Sequence, residues 1–141
     1  MREILFKAKT TKKDNPKHEF NEKWAEGNLI LCGEKAYIHP ISNKIRTTGE
    51  IGRIIVVHEV IPDTNCQYTG ERDKYHNKIW ENDIIKNEKG DIGVVQWFEE
   101  HAAFMIWNKT KNCVCYLAEN DFSKIEIVGN EFDNPELLEV E

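Results

Sequence analysis

The chain has 141 residues, of which 40% are hydrophobic, 31% charged and 10% aromatic, and its net charge is −6 at pH 7. This composition is that of an ordinary globular protein with a buried core, and it excludes disordered and fibrous chains. The negative charge disfavours a protein that coats nucleic acid through bulk positive charge, because that mode needs Lys and Arg to displace counterions from phosphates.

The sequence contains no apolar stretch long enough to span a bilayer, and residues 1–13 carry charges where a signal peptide needs an apolar centre. We therefore expect a cytoplasmic protein with no membrane partner. The four cysteines are too few and too irregularly spaced for a disulfide framework, so we expect them to be reduced.

The N-terminus has the alternating pattern of a β-strand. Apolar Ile4, Phe6 and Ala8 alternate with residues that are mostly charged over residues 1–9, which predicts an amphipathic strand. Residues 10–23 are polar and contain an Asp-Asn-Pro turn signal, so they are expected to form a loop.

Two further patterns predict strands before the middle of the chain. Residues 24–31 and 35–41 are β-type runs separated by a short turn, which predicts a hairpin with a positive φ at Gly33. Pro40 lacks a backbone N–H and should mark a strand end or a sheet edge. The β-branched run at residues 54–60 predicts a buried strand.

A change from strand-like to turn-rich sequence predicts two parts: an N-terminal β-rich part at residues 1–62 and a C-terminal part at residues 63–141. In the second part, short runs joined by tight turns favour a small closed or half-closed antiparallel barrel. Pro135 and its neighbours predict a short terminal helical turn. The fold class is therefore mostly β (α+β), with five C-terminal strands predicted at residues 83–86, 92–98, 103–108, 113–118 and 124–128.

The sequence contains no recognisable catalytic constellation, cofactor fingerprint or metal-binding motif, so we expect a protein that is not an enzyme and needs no cofactor. Cys113 and Cys115 lie two apart on one predicted strand and could present two thiolates to a metal. No second pair of ligands completes such a site, which favours two buried thiols. Asp83 is expected to accept hydrogen bonds from backbone N–H groups at a strand entrance.

The acidic residues near the turns support one alternative function. If several of these carboxylates converged on a cleft, they could hold a divalent metal for a small hydrolase or nuclease. Turn formation and solubility are the simpler explanations in so acidic a chain. The residues concerned are Glu71, Asp73, Glu81, Asp83, Glu99 and Glu100.

The aromatic residues of the C-terminal strands are the other candidates for a site, because small β-barrels often bind partners on exposed rings. Alternation places Val95 with Trp97, and Phe104 with Ile106, on the predicted core side of their strands. The remaining rings and the lysines of the first loop form the candidate binding surface: Trp107, Tyr116, Lys12, Lys13 and Lys17.

Several motifs together resemble the YopX family of phage and prophage proteins over nearly the whole length. The N-terminal half contributes Arg2-Glu3-Ile4, Phe6-Lys7-Ala8, Trp24, Glu26-Gly27, Tyr37-Ile38 and Pro40. The C-terminal half contributes Gln67-Tyr68-Thr69-Gly70, Asp73-Lys74, Ile79 to Ile85, Gly93 to Trp97, Ile127 to Asn130 and Asn134 to Leu138.

Two positions depart from the family pattern. Tyr75-His76-Asn77 stands in place of Lys-Asn-Gly, and Asn82 stands in place of Gly. In both turns this leaves an Asn as the residue able to take a positive φ. The motif residues Tyr68, Thr69, Gly70, Asp73 and Asp83 are interpreted as turn-formers and supports of the barrel.

The resemblance implies an α+β or mostly β N-terminal portion, a C-terminal SH3-like barrel and a phage or prophage origin in a bacterial host cell. It implies no activity and supplies no catalytic or binding residues. We therefore expect a non-enzymatic binding or assembly module. Its partner would be a protein or a second copy of the chain, and the net charge disfavours nucleic acid.

Overall fold

The computed structural model describes residues 3–11, 24–40 and 57–139. These residues form eleven β-strands and five single-turn 3-10 helices, with no α-helix among them, so the prediction of a mostly β chain is confirmed. None of the helices in these three segments is long and apolar enough to cross a membrane. The described residues divide into two compact units, an N-terminal one that ends at Gln67 and a C-terminal one that begins at Tyr68.

The N-terminal unit is an antiparallel sheet in the order β4-β3-β2-β1-β5. The first two residues of β5 belong to this unit and pair with β1. Its residues from Tyr68 onward belong to the C-terminal unit and pair there with β6 (Lys78–Trp80). The strands are β1 (Phe6–Lys9), β2 (Trp24–Cys32), β3 (Lys35–Pro40), β4 (His58–Val60) and β5 (Cys66–Arg72).

The predicted hairpin is confirmed, because β2 and β3 pair from Gly27↔Pro40 to Cys32↔Lys35 and Gly33 has a φ of +62°. Gly27 is required by close packing: a Cβ there would lie 2.0 Å from the carbonyl oxygen of His39. β3 ends at Pro40 as expected. Residues 54–56 of the predicted buried strand lie outside the described part of the chain.

Small and branched side chains form the core of the N-terminal unit. Ala8, Ile38 and Val60 are at most 1% exposed, and Ala25 and Ala36 join them. The first strand is shorter than predicted, because its pairing with β2 begins at Phe6↔Gly27. Ile4 lies before this pairing and is 52% exposed, so its predicted place on the apolar face was wrong.

Five strands of the C-terminal unit form an antiparallel sheet in the order β10-β9-β8-β7-β11. All five predicted strands are present, and three have the predicted bounds. Among the described residues β10 and β11 do not pair with each other, so the sheet is not closed. The strands are β6 (Lys78–Trp80), β7 (Asp83–Lys86), β8 (Ile92–Phe98), β9 (Ala103–Asn108), β10 (Cys113–Tyr116) and β11 (Glu126–Asn130).

One side of this sheet, which we call the core face, carries Ile85, Val95 and Ile106 in the hydrophobic core. The opposite side is called the outer face. Side chains outside β7, β8 and β9 complete the core: Ile79, Leu117 and Ile125.

Trp97 lies on the core face as its alternation with Val95 predicts, but it is 42% exposed, so its prediction as a core residue was wrong. β8 extends past the end of the packed core, and Trp97 there lies opposite Phe104 on β9. The two rings meet edge to face with centroids 5.1 Å apart. Phe104 is half-buried and packs against the core from its edge.

Two valines of the same sheet provide a matched test of this core. Val95 is 0% exposed and Val114 is 45% exposed. We predict that Val95→Ala lowers the free energy of unfolding by about 1 to 3 kcal/mol, because it removes buried methyl groups and leaves a cavity. Val114→Ala should change it by less than about 0.5 kcal/mol. Urea denaturation measures both values, and equal losses would contradict the described packing.

Candidate functional site

A buried carboxylate organises the turn that leads into β6. Asp73 is 4% exposed. Its Oδ1 accepts hydrogen bonds from the backbone N–H groups of Tyr75 and Asn77, each at 2.9 Å, and its Oδ2 accepts one from Ile127 at 3.1 Å. Burial raises the pKa of Asp73, but the N–H donors of Ile127, Asn77 and Tyr75 stabilise the ionised form, and the pKa lies below its ordinary value. Asp73 is therefore a turn-former that ties the turn to β11, as predicted.

The residues of positive φ match the prediction in one turn and differ in the other. Asn82 has a φ of +71°, as expected where the family pattern has Gly. In the earlier turn His76, not Asn77, has the positive φ, at +67°. The N–H of Asn77 donates to the Asp73 carboxylate in this turn.

Asp83 also supports the backbone, as predicted. Its carboxylate is 2% exposed, and its Oδ2 accepts a hydrogen bond from the N–H of Trp80 at 2.8 Å. The ring of Trp80 packs against Tyr68 with centroids 5.6 Å apart. Two of the carboxylates that the hydrolase alternative would use are therefore bonded to the main chain. Across the described segments no group of three or more His, Cys, Asp or Glu residues is arranged to hold a metal ion.

Glu131, the residue after β11, has a pKa that is affected by a second carboxylate, that of Glu81. Burial raises the pKa of Glu131, the amide of Gln96 lowers it through a hydrogen bond at 3.4 Å, and the charge of Glu81 raises it further. The net pKa is above the ordinary value. At neutral pH this site therefore holds negative charge at a cost in stability.

The outer face near the β10 edge carries a set of aromatic and apolar side chains. Val114 of β10 lies opposite Trp107 of β9, and Tyr116 lies opposite Met105. Val114 is 45% exposed and Tyr116 is 38% exposed, while Trp107 is half-buried and Met105 is buried. Antiparallel pairing thus places Trp107, Val114 and Tyr116 on one face.

The connection between β8 and β9 adds an exposed histidine to this face. His101 ends the 3-10 turn Glu99–His101, and Ala102 after it has a φ of +46°. The His101 ring stacks on Phe98 at 6.3 Å between centroids and meets Tyr116 edge to face at 5.7 Å. The Tyr116 hydroxyl lies 3.4 Å from Nδ1 of His101. We call Phe98, His101, Trp107, Val114 and Tyr116 the outer aromatic patch.

The patch borders an open sheet edge. β10 is the end strand of its sheet, and within the described part of the chain it pairs only with β9. On the side of β10 away from β9, no described strand satisfies the backbone N–H and C=O groups. The Tyr116 carbonyl accepts a hydrogen bond from the side-chain amide of Asn120 at 2.9 Å. Such an edge can accept a further strand from another chain.

The structure describes only two of the five candidate binding residues. Trp107 and Tyr116 lie on the same face of neighbouring strands, as the register shows. Lys12, Lys13 and Lys17 lie outside the described residues. Three members of the patch, Phe98, His101 and Val114, were not among the binding residues predicted from the sequence. The i, i+2 spacing of Val114 and Tyr116 carried the signal for Val114, whereas His101 meets Phe98 and Tyr116 only through the turn.

The prediction of two buried thiols was wrong. Cys113 is exposed and Cys115 is half-buried and packs on the core. Both belong to the core face, but β10 is an edge strand, and Cys113 at its start lies opposite Asn108, away from the core. All four cysteines are free thiols.

These features define a two-unit antiparallel β protein with an open edge and an exposed aromatic patch. The chain belongs to the YopX protein family, whose model matches residues 8–139. It is similar in structure to the crystal structure of the protein yopX from Bacillus subtilis, with a TM-score of 0.53, 15% sequence identity, and coverage of 99% of this chain and 100% of that one. At this identity the likeness shows the fold alone. No curated protein matches the chain by sequence.

Replacing Asp73 tests the turn network. We predict that Asp73→Asn lowers the free energy of unfolding at pH 7 by about 1 to 3 kcal/mol, because an amide N–H₂ replaces an acceptor in a buried site. The lowered pKa adds stability that is complete above the unfolded pKa of about 3.9 and is lost as pH falls through the folded pKa. The difference from wild type should therefore shrink in acid.

Urea denaturation at pH 7 and pH 3 measures this difference. Glu136→Gln is the control, because Glu136 is exposed. A penalty for Asp73→Asn that stays constant over this pH range would show that the ionised carboxylate is not the anchor.

Replacing Glu131 should change the free energy of unfolding in the opposite direction to replacing Asp73. Because its folded pKa is raised, the ionised form costs stability at neutral pH, and this cost disappears once the group is protonated. We predict that Glu131→Gln stabilises the protein at pH 7 and has little effect below about pH 4. Thermal unfolding at both pH values checks this, with Glu136→Gln again as control; destabilisation at pH 7 would refute the assigned environment.

Proposed function

We propose that this chain is a non-enzymatic binding module that takes a protein partner at the outer aromatic patch and the adjacent edge of β10. The observation that carries the proposal is the joint exposure of Val114 at 45% and Tyr116 at 38% on an end strand. Monomeric proteins usually protect such edges or cover such side chains. An exposed patch beside an open edge is typical of a surface that binds another chain.

The C-terminal unit is proposed to be an SH3-like barrel in its half-closed form. Five short antiparallel strands, tight connections and a hydrophobic core on one face of the sheet support this assignment. The resemblance in sequence to phage and prophage proteins supports a phage or prophage origin and action in the bacterial cytoplasm. In this role the protein would assemble with host or phage proteins and would catalyse no reaction.

The hydrolase alternative has less support. Asp73 and Asp83, two of its proposed acids, accept hydrogen bonds from backbone N–H groups. The pair formed by Glu81 and Glu131 has one carboxylate with a raised pKa, but no third ligand accompanies it among the described residues. The patch has the more specific geometry, and binding is therefore the function we propose.

Site-specific photo-crosslinking in the bacterial host tests the proposal. A photoreactive phenylalanine analogue at Val114 should give a discrete adduct with one partner, because that side chain lies within the proposed interface. The same analogue at Tyr75 is the matched control, since Tyr75 is 63% exposed and lies in the same unit away from β10. Equal adducts at both positions, or none at Val114, would refute the proposed binding surface.

A further inference from the structure

The charged residues beside the His101 and Tyr116 end of the outer aromatic patch are acidic. Glu99 and Glu100 belong to the turn that carries His101, and Glu119 lies three residues after Tyr116. All three are exposed. None of them forms an ion pair with another described residue in the structure.

Cations are absent from the same sequence segments. Residues 92–108 and 112–123 contain no Lys or Arg. Lys109 and Lys111 lie at the opposite end of β9 and β10, and Lys124 follows Glu119 in the chain. All three are already engaged. Lys124 contacts Glu88 at 3.5 Å. Lys111 contacts Asp91 at 3.5 Å, and the Nζ of Lys109 donates to the backbone carbonyl of Glu139.

A surface with this charge favours a cationic partner. Opposite charges accelerate encounter and fix the register of a complex, and like charges exclude wrong partners. The rings of Tyr116 and Trp107 add a further preference, because aromatic faces attract Lys and Arg side chains. A nucleic acid would meet the exposed carboxylates of Glu99, Glu100 and Glu119 here, which disfavours it.

The open edge of β10 favours a partner segment in the extended conformation of a β-strand. Strand addition uses backbone hydrogen bonds for affinity and alternate side chains for specificity. A strand laid beside β10 presents every second side chain to the outer face, where the patch lies. Basic residues at alternate positions would then face the patch and the carboxylates of Glu99, Glu100 and Glu119.

We propose that β10 accepts an extended, cationic segment of a partner protein, with Lys or Arg at alternate positions over the outer aromatic patch. This inference rests on the proposed function and names the chemistry of its partner. A second copy of this acidic chain is a poorer occupant, because its own β10 would bring the same carboxylates towards each other.

Fluorescence anisotropy with the full chain tests the proposal. The probe is a labelled peptide of about eight residues that alternates Lys with Val. We expect binding that is about tenfold tighter than that of the same peptide with Gln in place of Lys, and that weakens as salt rises from about 50 to 500 mM. Equal affinity for the Lys and Gln peptides at all salt concentrations would overturn the cationic preference.

Charge variants locate the binding. The double variant Glu99→Gln, Glu100→Gln should weaken Lys-peptide binding by about fivefold, since exposed ion pairs each contribute a modest amount. The double variant Glu136→Gln, Glu139→Gln has the same net charge and alters two exposed glutamates of the C-terminal tail. It should leave the affinity unchanged. Equal losses in the two variants would show attraction by the net charge alone and would overturn the assigned site.

Peptide methylation tests strand addition. Two Lys peptides carry N-methyl groups on alternate amides, one set in even positions and the other in odd positions. Only the set whose amides face β10 should abolish binding, because antiparallel pairing uses alternate amides. Retention of binding by both peptides would overturn the edge geometry.

The crosslinking at Val114 separates this inference from the function on which it rests. A discrete adduct at Val114 with no preference for the Lys peptide overturns the cationic partner and leaves the binding module standing. A Val114 adduct formed only between two copies of the chain also overturns the cationic partner. Absence of any discrete adduct at Val114 refutes the binding surface itself.

Discussion

The buried carboxylate of Asp73 is the constraint on which the C-terminal unit depends. It accepts hydrogen bonds from the N–H groups of Tyr75, Asn77 and Ile127, and so joins a local turn to a strand more than fifty residues away. Three donors hold the carboxylate ionised in a site where burial alone would favour its protonation. This contact fixes where β11, the end strand of the sheet, meets the turn before β6.

The opposite end of the sheet is left open, and the candidate function lies there. The hydrophobic core ends before β8 does, so that Trp97 is exposed and meets the half-buried Phe104 edge to face. The outer face of β9 and β10 carries Trp107 and Tyr116. The β10 edge, the aromatic rings and the turn that carries Glu99 and Glu100 come together because the register pairs β8, β9 and β10. The unit is thus anchored at one edge and available to a partner at the other.

The strands could be predicted from the sequence because local pattern determines them: β-branched runs, turn residues and period-two alternation gave the bounds of β7, β8 and β9. Burial at the ends of the sheet could not be predicted from the sequence. Alternation places Trp97 and Cys113 on the core face, but it does not show where the core stops. His101 was missed because a turn with a left-handed Ala102, not a strand pattern, brings it to Tyr116. The local sequence pattern likewise does not show that the positive φ falls at His76 and not at Asn77.

Amide hydrogen exchange tests most directly whether the β10 edge is a binding surface. The exchange is measured on the full chain with and without the Lys peptide. The account predicts that exchange slows at the outward-facing amides of Cys113–Tyr116 when the peptide is bound, because these amides gain a partner strand, while the amides of β11 are unchanged. Protection confined to other strands, with β10 exchanging as in the free protein, would contradict it.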